Sequence, residues 1–464
     1  MVPVRARGGA DTMPVPRQGA IVVGVIGVVG AIGVVGAIGR EAMQRHEVVI
    51  TGLGVVSPIG IGCAPFWRAL EEGRSGIAAI EQFDATDLPV RIAGEVRDFD
   101  PKAYVRPRKS LKVMSRDAQF AVAAADQACQ QAGIDALSVD PNRLGVVYGA
   151  DRIRTPIEEA SGSYRACMVD GRFDALRWPT EGMSAAYPLS FLKNLPNMLA
   201  SHISILLDAR GPNNTLQLAE ASSLLAVAEA AAVVERGQAD AVVTGGSSAR
   251  MHPIDWTRAY MTRELSTSDD EPRSVCRPFD ARRSGTVRGE GAAALVVESR
   301  RRAEARGAPI LARVLGWGSS FGPRQRGPEH GALALERAIR AALADAGVQA
   351  AALGHINAHG ASTIDDDRIE AAALGAVAPG VPVTALKSYF GNLHAGGGAV
   401  ELAASVLALG SGRVPATLNY EFPDPACPLE VIRGQPLGGR PPLALLINHT
   451  PQGQAVAVVI AGGA

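Results

Sequence analysis

Gly211-Pro212-Asn213-Asn214-Thr215-Leu216-Gln217-Leu218-Ala219-Glu220-Ala221-Ser222-Ser223 reads as a turn, a short apolar strand and the opening of a helix. The helix runs on through Leu224-Leu225-Ala226-Val227-Ala228-Glu229-Ala230. A residue at such a strand-to-helix junction has its side chain pushed out of the backbone, where helix amides and the positive end of the helix dipole converge. Chemistry that builds negative charge on an oxygen favours that geometry. The position pushed out here is Glu220, a carboxylate.

On either side of this junction, apolar strands alternate with alanine-rich helices. Upstream, Glu47 to Gly60 is a buried strand leaving into a Gly/Ser/Pro loop, and Phe66-Trp67-Arg68-Ala69-Leu70 reads as a helix. Arg106 to Gln131 is a long helical pattern with a basic front of Arg106, Arg108, Lys109, Lys112 and Arg116, and Leu144 to Gly149 is the next strand. Downstream, Ala239 to Gly246 is a strand, a helix ends near Arg306, and Ile310 to Gly316 is a strand. A helix over Gly331 to Ala346 stops at Gly347, as a glycine C-cap would stop it. His355 to Gly360 and Val381 to Ser388 are strands running into loops, and Ala395 to Leu409 is a helix. Leu443 to Asn448 and Ala455 to Ile460 close the chain as a hairpin. This alternation predicts α/β layers with both sheet faces covered. The same strand-and-helix theme occurs twice.

The chain has 464 residues, enough for two ordinary domains or one duplicated domain. Its 46 basic and 46 acidic residues balance, so no overall field for nucleic acid or a membrane surface is expected. Five scattered cysteines, an odd number with no metal-ligand spacing, fit a reducing cytoplasm better than a disulfide framework. Nothing points to a metal or a cofactor. Residues 1–46 stand apart. Ala20 to Gly39 is wholly apolar, with Val28 to Gly33 repeated as Val34 to Gly39. Twenty uncharged residues meet the length of a membrane span. Glycine at every third position, however, costs a helix roughly 1 kcal/mol each relative to alanine. A disordered low-complexity leader, or a translation start at Met43, is the preferred reading over a membrane anchor.

The Glu220 stretch resembles the nucleophile segment of the β-ketoacyl synthases of the thiolase superfamily. There the pattern is Gly-Pro-Asn, a few residues, then Ala-Cys-Ala-Ser. Here it is Ala219-Glu220-Ala221-Ser222. Further motifs extend the resemblance from about Val48 to Ile460. Arg277-Pro278-Phe279-Asp280 through Arg288-Gly289-Glu290-Gly291 matches a family corner, with Thr286 in place of a phenylalanine. Asn357-Ala358-His359-Gly360-Ala361-Ser362-Thr363 resembles the first catalytic-histidine motif, with Asp367 and Glu370 at the family spacing. Lys387-Ser388-Tyr389-Phe390-Gly391-Asn392 resembles the second, with Asn392 where a histidine is usual and Glu401 matching a family acid. The closing Asn-x-Phe-Gly-Phe-Gly-Gly motif is reduced to Asn448-His449-Thr450-Pro451-Gln452-Gly453-Gln454. The aromatic gates at Thr286 and Gln452 are lost, and Pro451, which has no amide hydrogen, reduces the backbone flexibility beside Gln452, where the family's oxyanion amide is expected.

The resemblance implies a duplicated α/β/α/β/α sandwich, with halves at 47–306 and 307–464, dimeric in the family manner. It places Glu220, His359, Lys387 and Asn392 at the catalytic positions and Thr286, Gln452 and Gly453 at the substrate pocket. Arg108, Lys109 and Lys112 are candidates to receive the acidic acyl carrier protein, the alternative being a solvated face. Condensation in the family needs a thiolate to hold the acyl chain. A carboxylate would form an anhydride that water cleaves, and its charge would repel a malonyl carboxylate. His359, Lys387 and the helix amides are expected to pair with Glu220. His394 is two residues past Asn392, and a helix starting there would turn it by about 200°, away from the site. The first expectation is a non-condensing partner subunit, like the chain-length factors, in which the cysteine is also replaced. The alternative is a malonyl-carrier decarboxylase, or another acid/base enzyme on carrier-bound acyl groups, using Glu220 and His359. An open channel to Glu220 would favour the enzyme, and a filled one the silent partner.

Overall fold

The computed structural model describes residues 46–135 and 138–463. The expectations for the leader fall outside these residues.

In chain order the main elements are β1 (Val48–Ser57), α1 (Cys63–Glu71), α2 (Arg116–Ala132), β2 (Leu144–Ala150), α3 (Met198–Leu207) and β3 (Asn213–Leu216). Next come α4 (Ser222–Glu235), β4 (Ala241–Ser248), β5 (Gly291–Ser299), β6 (Ala312–Phe321), α5 (Pro328–Ala346) and β7 (His355–Asn357). The chain ends with α6 (Ile364–Val377), β8 (Val383–Thr384), α7 (Gly397–Ser411), β9 (Leu443–His449) and β10 (Gln454–Gly462).

The strands run in the order β8-β7-β9-β10-β6-β1-β5-β4-β2-β3. Each end of this path has the same connections. β2 is parallel to β3 and β4, and β4, β5 and β1 follow antiparallel. β7 is parallel to β8 and β9, and β9, β10 and β6 follow antiparallel. The repeats meet where β1 and β6 pair over three residues, Val48 to Ile50 against Val314 to Ala312.

The duplication extends to packing. β1 and β6 each carry a bulge and a Gly-x-Gly lying against a helix. A Cβ on Gly52 or Gly54 would meet the Ala128 or Ala124 carbonyl of α2 at 2.1 and 1.9 Å. On Gly318 it would meet the Ala338 carbonyl of α5 at 2.3 Å. Only glycine permits such close approach of strand to helix.

Three apolar cores separate five layers. One lies between α2, α3 and the first sheet, and another between α5, α6 and the second. The largest surrounds α4 and α7, which sit between the two sheets and are apolar all round. This is the thiolase-type α/β/α/β/α sandwich.

Two local readings change. The single helix expected over Arg106 to Gln131 is two pieces, a 3₁₀ segment at Arg108–Val113 and α2. Ser115 sits between them in extended conformation and accepts from the Ala118 amide, a serine N-cap that starts the helix afresh. Strand β5 continues directly from the glycine-rich corner and had no separate signal, because nearly all of Gly291-Ala292-Ala293-Ala294-Leu295-Val296-Val297 is buried on both faces. Among the described residues no helix is long and apolar enough to cross a membrane.

Candidate functional site

The site gathers at the carboxyl ends of β3, β7 and β8, where parallel strands of both halves empty into loops. At the end of β3 the chain turns through Ala219, whose φ of 47° lies in the left-handed region that alanine rarely adopts. The Ser222 hydroxyl donates to the Ala219 carbonyl at 2.7 Å and accepts from the Leu218 amide at 2.8 Å, holding the turn. Glu220 is thereby set, buried, at the approach to α4.

Glu220 Oε1 accepts from Asn392 Nδ2 at 3.4 Å and lies 3.2 Å from His394 Nδ1. No hydrogen bond joins Glu220 to His359 or Lys387, contrary to the pairing expected from sequence. Lys387 is engaged elsewhere. Its Nζ donates to Glu401 Oε1 at 2.6 Å, to the His359 carbonyl at 2.7 Å and toward His359 Nδ1 at 3.2 Å. An ammonium has three donors and no acceptor, so all its hydrogens are used and His359 Nδ1 must carry a lone pair. The imidazole proton therefore sits on Nε2. Burial first, then the Lys387 charge, holds the His359 pKa well below the usual histidine range. The loop itself is fixed by Glu370, whose two oxygens accept the His359 and Gly360 amides at 2.6 and 2.8 Å.

His394 was expected to point away, and it points in. Asn392 is bridged to Arg288, outside any helix, and the turn that starts at His394 has φ of 46° at that residue. The helical rotation of about 200° therefore does not apply. Beyond His394, Arg250 Nη1 lies 3.3 Å from the same Nδ1, with Asp151 at 3.6 Å and Asp255 at 3.8 Å behind it. Burial, with Arg250 and Arg288 adding to it, lowers the His394 pKa to about 3, against the opposing pull of Asp151 and Glu264.

This ring thus stays neutral in the folded chain but takes a proton on unfolding below about pH 6.5. The unfolded state binds more protons, so His394 lowers stability as pH falls from 6.5 toward 3. His394→Gln, which cannot titrate, should gain relative to the parent by about 2 kcal/mol between pH 7 and 5. Urea midpoints at the two pH values test this. An unchanged difference would mean that His394 is charged or exposed.

A small cavity of about 30 Å³ lies between Glu220, Thr286, His359, Asn392, His449 and Pro451. That is about the volume one water occupies in the liquid. Thr286 is buried and lines it. Gln452 is exposed and does not line it, and Gly453 instead holds a turn against Gly322 with φ of 109°. Arg108, Lys109 and Lys112 are exposed and form no ion pair with another described residue, whereas Arg116 is tied to Glu290 at 2.7 Å.

Comparison with known proteins adds the family. The β-ketoacyl synthase N-terminal domain matches residues 45–303 and the C-terminal domain residues 311–421. The chain belongs to the β-ketoacyl synthase family. It is 36% identical over 395 residues to the 3-oxoacyl-[acyl-carrier-protein] synthase 2 of Coxiella burnetii, covering 84% of this chain and 92% of that one. Among solved structures, the ishigamide ketosynthase/chain length factor matches with a TM-score of 0.78 at 29% identity, covering 90% of this chain and 100% of that one. A type II polyketide synthase ketosynthase, solved with its acyl-carrier protein and bound to the hexaketide, matches with a TM-score of 0.77 at 27% identity, covering 90% and 100%.

Within that family pattern the structure brings Glu220, Asn392, His359 and Thr286 to one cavity, with Lys387 behind His359. Sequence reasoning passed over Arg250 and discounted His394. A histidine next to Ala395-Gly396-Gly397-Gly398 was the available signal, since such a run delays a regular helix.

Proposed function

We propose that this chain is a non-condensing subunit of carrier-protein-dependent fatty-acid or polyketide synthesis, paired with an active ketosynthase as chain-length factors are. The observation that carries this reading is the small size of the cavity at Glu220. A carboxylate stands where an acyl chain would attach, and the space beside it is about 30 Å³. Small-molecule pockets run to roughly 300–1,000 Å³. The ketosynthase/chain length factor neighbour supports the pairing, and the neighbour solved with its acyl-carrier protein supports binding of a carrier, for which the exposed Arg108, Lys109 and Lys112 are our candidate contacts.

The partner would add to the edge of β3. This strand pairs only with β2 among the described residues, leaving a row of backbone donors and acceptors open. Ile205 on α3 and Leu218 beyond β3 are exposed apolar side chains near it. We expect the chain to dimerise through residues 213–229 and to prefer a paralogue that retains Ala-Cys-Ala. Co-purification from the native host, with mass measurement in solution, tests this. A chain that stays monomeric at micromolar concentration with such a paralogue present would sink the reading.

A second reading rests on His359, whose Nε2 proton is a hydrogen-bond donor beside Asn392. Together they could stabilise an enolate formed on decarboxylation of a malonyl carrier, which needs no nucleophile. Release of CO₂ from malonyl carrier protein by the isolated chain would favour it over the silent partner.

A further inference from the structure

Behind His394 lies a second and larger cavity, of about 390 Å³, with Arg250 on its inner wall. Its volume falls within the roughly 300–1,000 Å³ of small-molecule sites. Its floor is one aspartate shared by three guanidinium groups. Asp255 Oδ1 accepts from Arg152 Nη2 at 2.7 Å, and the ion-pair contacts of Arg154 Nε at 2.8 Å and Arg250 Nη2 at 3.8 Å complete the cluster. Asp255 is 1% exposed, yet its other oxygen, Oδ2, has no hydrogen-bond partner. Arg250 Nε, Arg154 Nε and Asn194 Oδ1 are also buried and without one.

Leaving such atoms unmet is costly, because each gives up water without gaining a replacement bond. The remaining charges on the wall are accounted for. Arg116 is matched by Glu290 and Lys193 by Glu159, Asp117 accepts the Ala249 amide, and Glu158 stands at the exposed rim. The unmet groups on this wall are therefore donors on Arg250 and Arg154 and acceptors on Asp255 and Asn194.

We propose that this cavity binds a small hydroxycarboxylate, with its carboxylate against Arg250, Arg152 and Arg154 and its hydroxyl donating to Asp255 Oδ2. A planar guanidinium fork suits a carboxylate. A hydroxyl is favoured over an ammonium because a cation placed at Asp255 would sit beside three guanidinium groups. This assignment does not depend on the condensation chemistry at Glu220, and its probes are not carrier substrates.

The test is calorimetry on the full chain at constant ionic strength with L-malate, succinate and L-aspartate. Malate should bind saturably and about tenfold tighter than succinate, which lacks the hydroxyl, as expected when a buried acceptor is left unpaired. Aspartate should bind no better than succinate. Arg152→Gln, at a partly exposed position that folding tolerates, should weaken malate about tenfold. Asp255→Asn should erase the preference for malate over succinate. Should that variant fail to fold, Arg152→Gln still decides. Absence of saturable malate binding up to concentrations on the order of 10 mM would overturn the proposal. So would malate affinity unchanged in Arg152→Gln, or aspartate binding tighter than malate.

Discussion

Glu220→Cys is expected to yield no β-ketoacyl product from acyl and malonyl carrier proteins, as is the unaltered chain. Restoring the thiol restores only one part of the site. The second imidazole of a condensing enzyme is Asn392 here, and an amide takes no proton. Pro451 stiffens the backbone beside Gln452, the position from which an amide would meet an oxyanion. The smaller cysteine would widen the 30 Å³ cavity only by the few atoms that glutamate gives up, which still leaves no room for an acyl chain. Glu220→Gln separates the remaining roles. It keeps shape and hydrogen-bonding capacity, so a structural carboxylate predicts an intact fold and an unchanged partner ketosynthase. An acid/base role predicts a loss on the order of 100-fold or more, the usual contribution of such a group. An acyl adduct on the Cys variant by intact mass, together with ketoacyl product, would overturn this account of the site.

The fold was legible because its signals are local and repeated. Short apolar runs bounded by glycine and proline marked most strands, and Gly347, in the left-handed conformation, ended α5 where expected. The position of Glu220 was legible for the same reason, since strand, small residues and helix follow one another within a dozen residues. Partners across the chain were less so. Glu220 meets Asn392 and His394, some 170 positions away, and which of two neighbouring side chains turns inward depends on one backbone angle at His394. The exposure of Gln452 was hidden by its place in a motif whose other residues had changed. The Asp255 cavity had no sequence signal at all, because its arginines come from two separated loops, Arg152 and Arg154 after β2 and Arg250 after β4. Motif spacing reports what one segment does, and a charge cluster built between loops escapes it.

Lys387→Met should be the most destabilising single change in the site. Lys387 is 1% exposed, and its ammonium lies 2.6 Å from the equally buried Glu401. Removing one member of such a pair leaves the other charge uncompensated and typically costs about 3–5 kcal/mol. Glu401 would retain only the Asn448 amide, at 2.9 Å, and His359 Nδ1 would keep only that same amide, at 3.3 Å. Replacing both partners behaves differently. Lys387→Met with Glu401→Gln removes the stranded charge, so the double variant should be more stable than Lys387→Met alone by about 1–3 kcal/mol. That reversal, read from urea unfolding of the four proteins in a double-mutant cycle, distinguishes a buried ion pair from simple loss of packing. If Lys387→Met costs less than about 1 kcal/mol, the range of exposed salt bridges, the pair is solvated. A double variant less stable than Lys387→Met alone would instead show that the two side chains act independently.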